Sequence, residues 1–106
     1  MTEKWTDDRV SNVFWENVDA LRREHHMTWR EAAASMGLDE SGVYAAHYLR
    51  SFSATRVAAF ANLFEVSPAT LLDPNGPRAE LAAQRKAERE AEAERLRARL
   101  AELEEG

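Results

Sequence analysis

Residues 27–49 read MTWREAAASMGLDESGVYAAHYL, and this stretch decides the fold of the chain. Thr28 and Glu31 have the spacing of a capping box, in which each side chain accepts a hydrogen bond from the backbone amide of the other residue. Gly37 can adopt the positive φ that commonly follows the last turn of a helix. The pattern therefore predicts a short helix that begins after Thr28 and ends at Gly37.

A second helix is predicted immediately after this turn. Asp39 is a favourable N-cap residue, and we expect the helix to run from Glu40 to about Leu49. Two short helices joined by a glycine turn of a few residues form a helix-turn-helix motif.

The flanking segments predict three more helices. Before the motif, apolar residues recur at spacings of three and four from Thr6 to about Glu24, which is typical of an amphipathic helix. After it come a helix capped near Ser53 and a short helix that begins at Ser67-Pro68. No segment alternates with period two, so the predicted fold class is all-α, with one compact five-helix domain over residues 6–73.

The ends of the chain differ from this domain in composition. Residues 1–5 are interpreted as a flexible arm, and residues 74–77 as a linker because they contain proline and glycine. Residues 78–106, rich in Ala, Glu, Arg and Leu, predict a long charged helix. Three leucines at spacings of four and three make it a candidate short coiled coil and dimerisation element: Leu96, Leu100 and Leu103. The alternative is a single solvated helix.

The composition of the chain argues against several classes of function. The chain has 106 residues, no cysteine, three histidines and a net charge of −5. We expect no metal site and no cofactor, since the only soft ligands are histidines and two of them are adjacent. No apolar run is long enough to cross a membrane. No nucleophile–base pairing and no phosphate-binding loop is evident, so an enzyme is not expected.

The five-helix domain resembles the phage repressor and Cro-type (XRE-like) helix-turn-helix family, which includes many bacterial regulators and antitoxins. The resemblance spans about Val13 to Leu72 and rests on pieces distributed along the domain. These are Leu21-Arg22, Thr28 with Ala33 and Gly37-Leu38, Val43, the run Phe60-Ala61-Asn62-Leu63-Phe64-Glu65-Val66-Ser67, and Leu71-Leu72. The family's glycine and proline after the third helix are absent.

This resemblance implies a transcriptional regulator in the cytoplasm of a bacterial or phage-infected host cell. It implies a homodimer on double-stranded DNA with a palindromic operator, the third helix of each copy lying in a major groove. By position, the DNA-facing residues would be Thr28, Trp29, Arg30, Glu40, Ser41, Tyr44 and Ala45, with Tyr48 and Arg50 near the DNA backbone. The family often pairs an arginine late in helix one with a glutamate in helix three, and here Arg22 would face His47.

The predicted face is poor in positive charge. Arg30, Arg50 and Arg56 are the only cations in residues 28–56, so we expect weak DNA binding by one copy and a need for a dimer. The alternative function is a protein-interaction or antitoxin-like module. In that case the aromatic helix-turn-helix surface and the C-terminal helix would bind a protein partner.

Overall fold

A computed structural model describes residues 4–105, which form six α-helices and no strand. The all-α class is therefore confirmed for this part of the chain. The helices are α1 (Asp7–Glu24), α2 (Trp29–Met36), α3 (Glu40–Leu49), α4 (Ala54–Phe64), α5 (Pro68–Leu72) and α6 (Pro77–Glu105). Residues 1–3 of the predicted arm and Gly106 of the predicted last helix lie outside the described residues.

Helix ends are set by local hydrogen bonds. Thr28 Oγ1 accepts from the Glu31 amide at 3.1 Å, and Glu31 Oε1 accepts from the Thr28 amide at 3.2 Å, so the predicted capping box is confirmed. Gly37 follows α2 with a φ of 69°. Asp39 is a correction: it precedes α3 but makes no side-chain cap, because its carboxylate accepts a hydrogen bond from the Ser41 hydroxyl instead.

The core is built around Trp15, which is fully buried on α1. Its ring packs edge-on against Phe14 and Phe60 at centroid distances of 5.0 and 5.6 Å. Its indole Nε1 donates to the Ser51 carbonyl oxygen at 3.0 Å, which ties the loop after α3 to α1. This contact holds the carboxyl end of α3 against the rest of the domain.

The segment between α5 and α6, predicted as a linker, is closely bonded to α1. The buried Asn17 amide donates to the carbonyl oxygens of Leu71 at 2.8 Å and Asp73 at 2.9 Å, and its Oδ1 accepts from the Arg78 amide at 2.9 Å. Arg78 Nη1 also pairs with Glu16 Oε2 at 2.6 Å. The first turns of α6 are therefore docked on α1.

Beyond these turns α6 projects away from the domain. Its side chains after Leu81 are exposed, apart from a half-buried Ala93. The described residues measure 61 Å along their longest axis, and their radius of gyration is 18.3 Å, against about 13 Å for a compact chain of this length. No helix in residues 4–105 has the length and hydropathy to span a bilayer.

Replacing Glu65 by glycine is expected to stabilise the domain by about 1 kcal/mol, because Glu65 ends α4 with a φ of 56°, a left-handed conformation that costs a residue with a Cβ about that much. Urea unfolding of both proteins measures the difference. Glu65→Ala is the matched control, since it keeps a Cβ and the strain. A glycine variant no more stable than the alanine variant would contradict this explanation.

Candidate nucleic-acid interface

Helix α3 is held to the domain by a narrow strip and exposes the rest of its surface. Of its ten residues, Val43 and Ala46 are buried and His47 is half-buried. The predicted site residues on this helix are all exposed: Glu40, Ser41, Tyr44, Ala45 and Tyr48. Four of them, at positions 41, 44, 45 and 48, have the three- and four-residue spacing that places side chains on one helix face. The structure thus brings most of the predicted face together.

Two of the predicted residues are engaged with each other. Arg30 Nε on α2 lies 3.1 Å from Glu40 Oε2 on α3, and both side chains are exposed, so the pair stabilises the turn only slightly. The pair neutralises Glu40, which would otherwise repel phosphate. To contact another anion, Arg30 must therefore break this ion pair or bind both groups at once.

The Trp29 side chain packs inward, whereas the predicted contact with DNA requires an exposed side chain. It is half-buried, with its ring centroid 4.5 Å from that of His47 and 6.2 Å from that of Trp15. The Arg22 guanidinium lies over the Trp29 ring, 4.8 Å from the ring centroid. Burial of a large apolar ring is more favourable in free energy than its exposure to water. Trp29 therefore packs inward and stabilises α2 and α3 from the core side.

Thr28 and Arg50 differ in how much of each side chain remains for a ligand. The Thr28 hydroxyl is used in the capping box. Arg50 follows α3 with a φ of 54° and is half-buried, and its Nη1 is buried without a hydrogen-bond partner among residues 4–105. Because an unpaired buried donor is costly, this side chain would gain a partner by swinging out towards an anion.

Arg22 and His47 both pack against Trp29, but the hydrogen bonds of Arg22 go to other residues. Arg22 Nη2 lies 2.7 Å from Asp19 Oδ1, and Nη1 donates to the Met27 carbonyl oxygen at 2.9 Å. A carboxylate within one helical turn is a stronger partner for a guanidinium than a neutral imidazole. Burial raises the pKa of Asp19, but the hydrogen bond from Arg22 and the charges of Arg23 and Arg22 outweigh it and hold that pKa below its usual value.

His47 packs against both Trp29 and Trp15, with a centroid distance of 5.6 Å to the latter ring. Burial, followed by the charge of Arg50, lowers the pKa of His47 below its usual value. Asp19 acts in the opposite direction, and Arg22 adds to the lowering. The histidine is therefore favoured in its neutral form at the base of α3.

This shift predicts a loss of stability in mild acid. The depressed pKa of His47 gives stability that is present above the unfolded value of about 6.5 and is lost as the pH falls through the folded pKa. We expect the free energy of unfolding to fall between about pH 7.5 and 5.5, and His47→Gln to flatten that slope. Urea titrations across this range measure it. His26→Gln, at an exposed histidine, is the control, and equal slopes for wild type and His47→Gln would contradict the assignment.

The carboxyl end of α3 and the loop after it carry large apolar side chains that the sequence analysis did not assign to the site. Leu49 is 71% exposed and Phe52 42%, beside the predicted Tyr44 at 56% and Tyr48 at 79%. We call these four residues the α3 apolar surface. Leu49 lies four residues after Ala45, a spacing that could have identified it as part of the same exposed side.

The charge around this surface is balanced. Residues 28–56 contain three basic side chains (Arg30, Arg50 and Arg56) and three acidic ones (Glu31, Asp39 and Glu40), which gives a net charge of zero. Nucleic-acid-binding domains usually show a basic patch. Any recognition of DNA here must therefore depend on a few contacts per copy. No cluster of three or more His, Asp or Glu side chains suited to a metal occurs within residues 4–105.

Comparison with known proteins provides no relative for this chain. No family model matches it, and neither the curated proteins nor the solved structures contain a match.

Proposed function

We propose that this chain is a sequence-specific DNA-binding transcriptional regulator that acts as a homodimer. In this proposal α1 to α5 form a repressor-like helix-turn-helix domain, and α3 enters the major groove of a palindromic operator. The observation that carries the proposal is the exposed row on α3 at positions 41, 44, 45 and 48, presented by a helix that follows α2 after a three-residue turn.

The side chains of this row suit a limited readout of bases. The Ser41 hydroxyl can donate or accept a hydrogen bond, and Tyr44 can hydrogen-bond or pack on a thymine methyl group. In the free protein Ser41 donates to Asp39, so base recognition exchanges one hydrogen bond for another. Glu40 can accept from a cytosine amino group once Arg30 turns to a phosphate.

Two copies are needed because one copy neutralises few phosphates. Each phosphate contact adds to the affinity and to its dependence on salt, and Arg30, Arg50 and Arg56 are the arginines of residues 28–56. A dimer doubles these contacts and places its recognition helices about 34 Å apart on a two-fold operator. The exposed leucines of α6 provide a surface for the dimer.

The direct test is fluorescence anisotropy with an operator selected from random DNA, at two salt concentrations. We expect Tyr44→Ala to weaken binding about tenfold, in line with loss of one base contact, while Glu24→Gln, at an exposed residue of α1, leaves it unchanged. If a folded dimer shows no binding at low salt, the proposal is wrong.

Gly42 gives a prediction with two readouts. It is an exposed helical residue, and a Cβ added there would meet nothing within 4 Å, so Gly42→Ala should raise the free energy of unfolding by about 0.5–1 kcal/mol. If DNA approaches this side of α3 closely, the same methyl group lowers operator affinity. A stabilised variant with unchanged affinity would place Gly42 outside the contact.

The α3 apolar surface favours a second candidate function, the binding of a protein partner. Exposed aromatic and leucine side chains are common anchors of protein interfaces, and Tyr48 and Leu49 are the most exposed of the four. Tyr48→Arg separates the two functions. It adds a cation, so it should strengthen DNA binding and steepen its salt dependence, whereas it should disrupt an apolar protein interface.

A further inference from the structure

We propose that residues 92–105 of α6 pair with the same residues of a second copy as a parallel, in-register coiled coil. The inference rests on the dimer in the proposed function and does not depend on DNA binding. It assigns the orientation of the dimer and the residues that set it.

The contact surface is a row of leucines that the protein itself leaves open. Leu96, Leu100 and Leu103 are 55%, 60% and 73% exposed, and their spacings of four and three place them on one side of the helix as a coiled-coil seam. Ala93 continues the seam by one position. Before it, the same register passes through Lys86 and Arg89, so the close contact begins near residue 92.

The charged side chains that flank this seam are not satisfied within α6. The ion pairs that the structure shows in residues 4–105 lie in α1, between α2 and α3, and between α1 and Arg78. None joins two side chains beyond Arg78, although opposite charges three or four residues apart are frequent there. These charges are therefore available to a second helix.

A parallel arrangement pairs these charges favourably. In a parallel coiled coil the residue before a first seam position faces the residue five places later on the partner helix. Within the leucine region this brings Glu92 to Arg97 of the second copy, and Arg99 to Glu104 of the second copy. Two-fold symmetry repeats both pairs. Every pair joins opposite charges.

Each antiparallel arrangement loses either the favourable charge pairs or the contacts between leucines of the two helices. If Leu96 packs against Leu100 of the second copy, the two-fold axis passes residue 98 and gathers Arg97 and Arg99 of both helices around it. A shift by one heptad relieves this, but it places Leu100 opposite Arg89 and Leu103 opposite Lys86. The remaining alignment overlaps residues 98–105 alone. The parallel register satisfies leucines and charges together.

Parallel pairing also sets the positions of the two domains. Both lie at the amino-terminal end of the coiled coil, where Lys86 and Arg89 face their own copies and keep the helices apart. Because α6 docks on α1 while α3 packs against α2, the dimer contact and the α3 face use different parts of each chain.

Disulfide trapping tests the orientation, since the chain contains no cysteine. In the full chain, Ala93→Cys and Leu103→Cys each place a thiol on the seam, about 15 Å apart along the helix. Parallel, in-register pairing predicts that both variants form disulfide-linked dimers on mild oxidation. Ala98→Cys, on the outer side of the helix, is the control and should remain mostly unlinked.

Each other outcome overturns the inference. Linking at one of the two seam positions would indicate a shifted antiparallel pair. A dimer by sedimentation with no linking would indicate either the antiparallel register with Leu96 against Leu100 or another surface. A monomer by sedimentation would remove the dimer itself. DNA binding is measured separately, so a failed orientation is distinguishable from a failed function.

Charge exchange tests the proposed pairing directly. Glu92→Arg and Arg97→Glu each place like charges opposite each other at two symmetry-related sites, and each should raise the dimer dissociation constant by about tenfold. The double variant restores opposite charges and should return to within about threefold of wild type. A double variant as weak as the single variants would overturn the parallel register.

Discussion

Replacing Asn17 by alanine is expected to lower the free energy of unfolding by about 4 kcal/mol, the largest effect of any polar substitution in this domain. Asn17 is fully buried, and its side chain bonds the Leu71 and Asp73 carbonyl oxygens and the Arg78 amide. Alanine leaves these backbone groups without their partner and leaves a cavity on α1. Chemical denaturation followed by tryptophan fluorescence measures the change.

Asn12→Ala is the matched control, because Asn12 is an exposed residue of the same helix. It should change stability by less than about 0.5 kcal/mol. A loss of under 1 kcal/mol for Asn17→Ala would mean that water replaces the amide with little cost, and that Asn17 is not what fixes α6.

In the proposed dimer, replacing Leu100 by aspartate is expected to give monomers and to reduce apparent operator affinity by at least about 100-fold. Leu100 lies at the centre of the exposed leucine row, and two aspartates facing each other there would be desolvated and would repel. Sedimentation velocity and anisotropy with the operator measure the two effects on the same preparations.

Ala98→Asp adds the same charge two residues away on the outer side of α6, and it should leave both properties unchanged. If Leu100→Asp gave monomers that still bound the operator with wild-type affinity, recognition by single copies would be established. If it stayed dimeric, the dimer surface would lie elsewhere.

The two ends of α2 could be predicted from the sequence because they depend on neighbouring residues. The capping box of Thr28 and Glu31 and the positive φ of Gly37 involve residues a few positions apart. The bonds of Asn17 could not be predicted in this way, since its partners lie 53 to 61 residues further along the chain. A polar residue inside the apolar face between Val13 and Leu21 was the available signal.

The candidate site was predictable in position but less so in its contacts. The exposed positions on α3 follow from helical periodicity, and the structure confirms their exposure. The inward packing of Trp29 on Trp15 and His47 depends on three helices meeting, which no local pattern contains. The Arg30–Glu40 pair likewise requires the crossing of α2 and α3.

The hydrogen bonds and the ion pair at residues 73–78 fix the first turns of α6 to its own domain. Asn17 donates to the Asp73 carbonyl oxygen and accepts from the Arg78 amide, and Glu16 forms an ion pair with Arg78. A rotation of α6 about its axis is therefore transmitted to α1. In a paired α6, one residue inserted between Arg78 and the seam would rotate each domain by about 100° relative to the coiled coil. In the proposed complex with DNA, the length of this segment would therefore set the phase of the two α3 helices, and with it the operator spacing that the dimer accepts.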